Sequence, residues 1–311
     1  MLFATTDPAE ILRLVAAVCM SSLGSPLENV IAYRRGVGVV VGVQLRDGRR
    51  VAIKVHRQEL VPHGLDGIRA IQMHLADAGM PAPHPLGDVA AIGRGLASPE
   101  EWLHGGTAPD AHDPVIRGEM VRQLRRFIAS ATPMVLEVAL PVMHPYGLPP
   151  EQLWPTPHDL RFDLTLDGGE WIDEIGAAAR RKLDATPLPG GVGHVDWRSE
   201  NLRFDGASLV AILDWDSVAC GPEAAIIGAN ASAFTADWGR PETNPIPRRT
   251  RSRRSWPSTR LAAEHHSWAR SASSSRRRSC IGWLTPQDVN TQTAIWGSSA
   301  ISDLTPDTEP S

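Results

Sequence analysis

The stretch Gly193–Asp216, GHVDWRSENLRFDGASLVAILDWD, constrains the fold more than any other part of this 311-residue chain. It holds His194-x-Asp196-x4-Asn201, a short polar turn, and an apolar run that ends at Asp214. Leu202 and Phe204 sit two apart, as one face of a half-buried strand requires. Asp205-Gly206 is a turn signal. Leu209, Val210, Ile212 and Leu213 form a second, nearly continuous apolar strand. Antiparallel pairing of the two would bring Asn201 and Asp214 to the same end of a hairpin. The arms differ by about two residues, roughly 7 Å at strand rise, so a bulge or bend must absorb the difference.

Such a hairpin end offers a carboxylate and an amide oxygen, with Asp216 close behind. Hard oxygen donors in that number suit Mg²⁺, which takes one or two protein ligands and completes its shell with phosphates. Phosphoryl transfer also needs a carboxylate that orients an attacking hydroxyl and accepts its proton, and Asp196 is placed for that role. The H-x-D-x4-N spacing alone arises by chance in roughly a few per cent of chains this long. A second signal raises its weight. Val51-Ala-Ile-Lys54-Val55 reads as a strand carrying one of only two lysines, against 29 arginines. Lys54 could guard an exposed sheet edge. Retaining a point-charge ammonium in a chain that otherwise uses arginine points instead to a specific need.

Together these segments resemble the catalytic region of the aminoglycoside phosphotransferase and choline kinase superfamily, whose fold is similar to that of protein kinases. The resemblance covers roughly residues 25–245. It implies a two-lobed α+β protein with a small β-sheet N-lobe and a mostly helical C-lobe. It implies ATP and Mg²⁺ as cofactors and a small-molecule hydroxyl as acceptor. It assigns Asp196 as catalytic base, Asn201 and Asp214 as metal ligands, and His194 as a structural residue. Lys54, Gly36 and Gly38 are assigned to the nucleotide. Three positions depart from the family pattern. Gln72 stands at the helix level where the family has a Glu that pairs with the lysine, with Asp66 one to two turns earlier. Ala225 replaces an acid, and Val195 replaces a Gly.

Asp7-Pro8 with Glu10 marks a helix start with a capping box, and Gly24 its end. Val30–Val55 reads as a glycine-punctuated hairpin turning at Asp47-Gly48. Helices are expected over Leu65–Ala78, Pro114–Ile128 and Gly169–Leu183, the last with Trp171, Ile172, Ile175 and Ala179 on one face. Gly93–Leu103 is expected to connect the lobes and Met143–Pro157 to be loop. The expected organisation is a helix over 1–24, a nucleotide-binding lobe over 25–100, a catalytic and acceptor lobe over 101–247, and an Arg/Ser-rich tail over 248–311.

No apolar run approaches the ~20 residues that span a bilayer, and the N-terminus lacks the pattern of a signal peptide. Three scattered cysteines suggest neither a disulfide framework nor a metal site, so a cytoplasmic location is expected. The net charge of −4 hides a split. Residues 1–247 carry −9, while residues 248–280 carry ten Arg against Glu264. That basic block admits a nucleic-acid binder as a lesser reading, and a nucleotide-binding relative with impaired catalysis is another. Oligomeric state is not legible.

Arg and Ser supply 19 of the 33 residues in 248–280, and no helical or strand period runs through them. Arginine-rich coding suggests a GC-rich gene, and such DNA read out of frame yields Arg, Ser, Pro, Ala and Trp. A frame slip near Pro247 accounts for this segment; a genuine basic tail is the alternative. Shifting the coding DNA by one base after about codon 247 should reveal amphipathic helical sequence. Absence of periodic apolar sequence in both other frames would rule the slip out.

Overall fold

The computed structural model describes residues 2–57, 64–157, 163–165 and 167–237. The expected tail over 248–311 lies outside the described residues. In chain order the elements are α1 (Pro8–Leu23), β1 (Leu27–Arg35), β2 (Val39–Leu45), β3 (Arg50–Arg57), α2 (Leu65–Asp77), β4 (Ala90–Ile92), β5 (Gly95–Glu101), α3 (Pro114–Ala131), α4 (Glu170–Asp184), β6 (Gly190–His194), β7 (Leu202–Asp205), β8 (Ser208–Ile212), β9 (Val218–Pro222) and α5 (Glu223–Ala233). They fall into two compact units. The mixed α+β class, with an antiparallel sheet in the N-terminal part, agrees with the expectation from sequence.

The first unit comprises Met1–Pro109, Glu137–Leu140 and Asn201–Asp216. Its five-stranded antiparallel sheet has the order β1-β2-β3-β5-β4. The two faces of β3 separate by strand parity. Val51, Ile53 and Val55 join Val39, Val41 and Val43 of β2 and Ala97 of β5 in a core closed by Val15, Val18, Cys19 and Leu23 of α1. Ala52, Lys54 and His56 point to the other face. The expected single hairpin over Val30–Val55 is therefore three strands. Gly36–Gly38 makes the extra turn, with the Gly36 N–H donating to the Gly38 carbonyl at 2.9 Å. The second turn falls at Asp47-Gly48 as expected. There Asp47 Oδ1 accepts the Arg49 N–H at 3.0 Å, and Gly48 takes φ +90°.

α1 starts where the sequence predicts, with Asp7 Oδ1 accepting the Ala9 N–H at 3.0 Å and Gly24 ending it at φ +66°. The capping box does not close. The Asp7 N–H donates to Thr5 Oγ1 at 3.0 Å, and Glu10 pairs with Arg13 instead. Most of the expected connector Gly93–Leu103 is strand β5. Pairing along the whole of β3, from Val51↔Glu101 to Arg57↔Gly95, overrides its low local strand propensity. α2 lies close to the segment Glu137–Leu140: a Cβ on Gly67 would stand 1.8 Å from the Ala139 carbonyl oxygen, so only glycine fits.

Among the described residues, the second unit comprises Asp110–Leu136, those within Pro141–Glu200, and 217–237. Asp113 caps α3 through Val115 N–H at 2.7 Å. Met120, Leu124, Phe127 and Ile128 of α3 are buried, together with Val192 of β6 and Ile226 of α5. β6 and β9 pair antiparallel, from Gly190↔Pro222 to His194↔Val218. The apolar face expected on α4 is only partly covered: Ile175 and Ala179 are half-buried, and Trp154 packs against Gly176, while Trp171 is 61% and Ile172 46% exposed. Helical spacing defined the face, and spacing says nothing about whether a partner exists.

Ile53, 0% exposed, sits at the centre of the sheet core. Ile53→Ala should cost about 2–5 kcal/mol. Chemical denaturation followed by far-UV circular dichroism checks this, and a loss under about 0.5 kcal/mol would contradict the described core.

Candidate active site

Lys54 reaches the middle of the first unit from β3, a central strand, which removes the edge-guard reading. Only 8% of the residue is exposed. A lone buried ammonium would be costly, and this one is surrounded by acids. Its Nζ donates to Asp214 Oδ1 at 2.7 Å and also to Asp216 Oδ1. Burial alone would lower the Lys54 pKa, but Asp216, Asp214 and Glu100 more than offset it and hold the ammonium above its ordinary value. Burial likewise opposes ionisation of Asp216, yet Lys54 and a hydrogen bond from His56 keep that carboxyl well below the usual range.

His56 is two residues further along the same strand face and is buried. Its Nδ1 lies 3.5 Å from Asp216 Oδ2, and its Nε2 lies 2.7 Å from Ser98 Oγ on β5. The ring thus ties the Asp216 carboxylate to the sheet. The Trp102 indole lies on the same face, over Gly42, where a Cβ would stand 2.5 Å from the ring.

The hairpin β7–β8 supplies the acids. Its register runs Leu202↔Ile212, Arg203↔Ala211, Phe204↔Leu209, so the bulge demanded by the unequal arms falls at Val210. The Leu213 N–H donates to the Asn201 carbonyl at 2.8 Å, which sets Asn201 beside the start of Leu213-Asp214. Asp214 follows with φ +64°, a left-handed conformation that a non-glycine residue adopts only when its surroundings impose it. Its side chain remains 40% exposed while bound to Lys54. A carboxylate that is both fixed and open can still accept a ligand. Among the described residues no three His, Cys, Asp or Glu side chains form a metal site by themselves. Asp214 and its neighbour along the hairpin, Asn201, are the residues that could hold a divalent ion taking its other ligands from phosphate and water.

In the second unit, His194 ends β6 with 0% exposure. It packs edge-on against Phe127 and Trp197, with ring centroids 6.4 and 5.8 Å away. Its Nδ1 accepts the Asp196 N–H at 3.2 Å. Asn230 of α5 closes the loop: its Nδ2 donates to the His194 carbonyl at 2.8 Å, and its Oδ1 accepts the Trp197 N–H at 2.7 Å. Trp197 Nε1 donates to the Met120 carbonyl at 3.0 Å. The loop is thus held from both sides, and the Asp196 side chain stays 32% exposed, with Arg198 Nε 3.3 Å from its Oδ1.

Of the residues named from sequence, Lys54 and Asp214 are in contact, Asn201 adjoins Asp214 along the hairpin, and Asp196 and His194 share one loop. Gly36 and Gly38 form the β1–β2 turn. A Cβ on Gly38 would meet the Val55 carbonyl at 2.7 Å, whereas Gly36 has open space. Sequence reasoning missed His56, Ser98 and Glu100 as partners of this cluster, the contact of Asp216 with Lys54, and Arg198 beside Asp196. Strand parity with Lys54 was a usable signal for His56.

The first unit thus holds a buried lysine bound by aspartates at a hairpin end, and the second holds the H-x-D loop, the two features on which the sequence resemblance rests. The sequence pattern of the phosphotransferase enzyme family matches residues 35–262, well over half the chain, and the chain belongs to that family. No curated protein matches the chain at a significant level. Among solved structures the fold is similar to amicoumacin kinase hAmiN, solved with AMP-PNP, Ca²⁺ and Ami: TM-score 0.53, 13% identity, covering 70% of this chain and 67% of that one. A thermostable mutant of aminoglycoside phosphotransferase APH(4)-Ia gives a TM-score of 0.50 and 17% identity over 70% and 75% of the two chains. Spectinomycin phosphotransferase APH(9)-Ia, solved with ADP and spectinomycin, gives 0.50 and 13% over 74% and 76%. At these identities the likeness is one of fold.

The ion cluster has a pH signature. Because the folded-state pKa of Asp216 lies below its unfolded value, its stabilising contribution is complete above the ordinary carboxylate range and fades as pH falls below it. Asp216→Asn should therefore lower the denaturation midpoint by a constant amount from pH 7 to about 5, and the gap should narrow below about pH 4. A gap that widens on acidification would contradict the assignment.

Proposed function

We propose that the protein transfers the γ-phosphoryl group of ATP, with Mg²⁺, to a hydroxyl of a small molecule. The observation that carries this reading is the buried Lys54 ammonium bound to Asp214 at the end of a hairpin that begins at Asn201. When bound, Mg²⁺ would neutralise phosphate charge and hold the phosphoryl group for in-line attack. Asp214 and Asn201 supply the protein oxygens for it. Lys54 exchanges carboxylate oxygens for phosphate oxygens and keeps its charge throughout, because acids remain around it. Asp196 orients the acceptor hydroxyl and takes its proton. His194, through the Asp196 N–H, fixes the loop that aims that carboxylate.

Family membership supports the reaction class. The acceptor is proposed as a small hydroxyl compound of the kind the amicoumacin and spectinomycin enzymes of similar fold are named for. No helix among the described residues is long and apolar enough to cross a membrane, and we place the reaction in the cytoplasm, where ATP is supplied. The rival reading, a relative that binds nucleotide without turnover, rests on Gln72 at the position of the family's helix acid and on the Arg/Ser-rich C-terminal sequence.

ATP consumption against a panel of aminoglycosides and other hydroxyl compounds tests the proposal. Asp196→Asn should lower turnover roughly 10²-fold or more while nucleotide affinity stays near that of the parent. Asp214→Ala should weaken Mg·ATP binding too. Unchanged turnover in Asp196→Asn would remove Asp196 from the mechanism. Binding of Mg·ATP with no turnover on any acceptor would favour the rival.

A further inference from the structure

Gln72 does not replace the family's helix acid as a partner of Lys54; it serves another carboxylate. Its side chain is buried, 2% exposed. Both donors of its amide are used: Nε2 donates to the Pro83 carbonyl and to Glu100 Oε2, each at 2.8 Å. Both partners are acceptors. An ionised Glu at position 72 would have no proton to give and would place two carboxylates together, so the amide at 72 and the acid at 100 are a matched pair.

Glu100 stands on β5, opposite Ala52, while Lys54 stands opposite Ser98. Parity puts Glu100 and Lys54 on one face of the sheet as diagonal cross-strand neighbours, a separation of roughly 7–8 Å that long side chains bridge. The two groups interact: Glu100 favours the charged lysine, while burial raises the Glu100 pKa and Lys54 and the Gln72 hydrogen bond offset only part of that rise. Lys54 is thus faced by two kinds of acid. Asp214 and Asp216 belong to the hairpin end, where a metal and phosphate would compete for them. Glu100 belongs to the sheet and is fixed from α2.

We propose that Glu100, held by Gln72, is the positioning residue of the nucleotide lysine. On this account the supporting acid has moved from the helix to strand β5, and Glu100, held by Gln72 on the Lys54 face of the sheet, aims the lysine. The proposal rests on the function proposed above, and deepens it.

The test uses the full chain labelled with ε-¹³C lysine. With only Lys54 and Lys182 present, the spectrum has two lysine signals, and Lys182 is an internal reference. Glu100→Gln keeps an acceptor for Gln72 and removes the charge. It should move the Lys54 signal and leave Lys182 in place, with no nucleotide added. It should also weaken calorimetric binding of a non-hydrolysable Mg·ATP analogue about tenfold, with little change in melting temperature. The exchanged pair Gln72→Glu with Glu100→Gln returns an acid to the helix and should recover most of that affinity. An unmoved Lys54 signal overturns the proposal, and so does parent-like analogue binding in Glu100→Gln. If the parent itself does not bind the analogue, the functional reading fails, and the lysine signal alone decides whether Glu100 positions Lys54. If Glu100→Gln does not fold, Gln72→Met, which releases Glu100 without deleting its charge, must shift the Lys54 signal or the proposal fails.

Discussion

One buried ammonium organises the first unit. Taking Lys54 out of water is unfavourable by several kcal/mol unless acids surround it. Two come from Asp214 and Asp216, more than 150 residues away along the chain, and a third from Glu100 on the neighbouring strand. The contact joins the hairpin 201–216 to the sheet, and helps explain why Asp214 holds a left-handed backbone. It also sets an unequal distribution of charge, with more carboxylates than cations at one spot. Such excess is unfavourable in an empty protein and useful in one that receives a divalent ion.

The second unit solves a different problem. There the Asp196 side chain is partly exposed while its loop is held in place. Its fixing comes from the backbone: the N–H donates to a histidine buried between two aromatic rings, and Asn230 clamps the residues on either side. Polar groups satisfied this completely in an apolar setting give rigidity without lending their own charge to the chemistry.

Much of this was legible in the sequence because it rests on short-range rules. Asp7-Pro8 announces a helix start, Asp47-Gly48 and Asp205-Gly206 announce turns, and unequal arms require the bulge found at Val210. The lysine strand and the H-x-D-x4-N segment gave the fold family. The unread parts depend on pairing. Glu100 sits in Ser-Pro-Glu-Glu, which reads as a polar connector until β3 is placed beside it. Asp216 looked like an extension of Asp214 until His56 and Lys54 were seen to reach it. Gln72 looked like a loss until its two acceptor partners were known. The apolar stripe of α4 was read correctly as a pattern, but a pattern does not reveal whether a neighbour covers it.

The central claim is that Lys54 lies at the phosphates of a bound nucleotide. An acyl phosphate of ATP transfers its acyl group to an amine lying at those phosphates, so it reads this placement directly. With two lysines in the chain, peptide mass spectrometry can follow both. The account predicts acylation at Lys54, suppressed by excess Mg·ATP, with Lys182 at background. Labelling confined to Lys182, or labelling of Lys54 that excess Mg·ATP does not suppress, would contradict it.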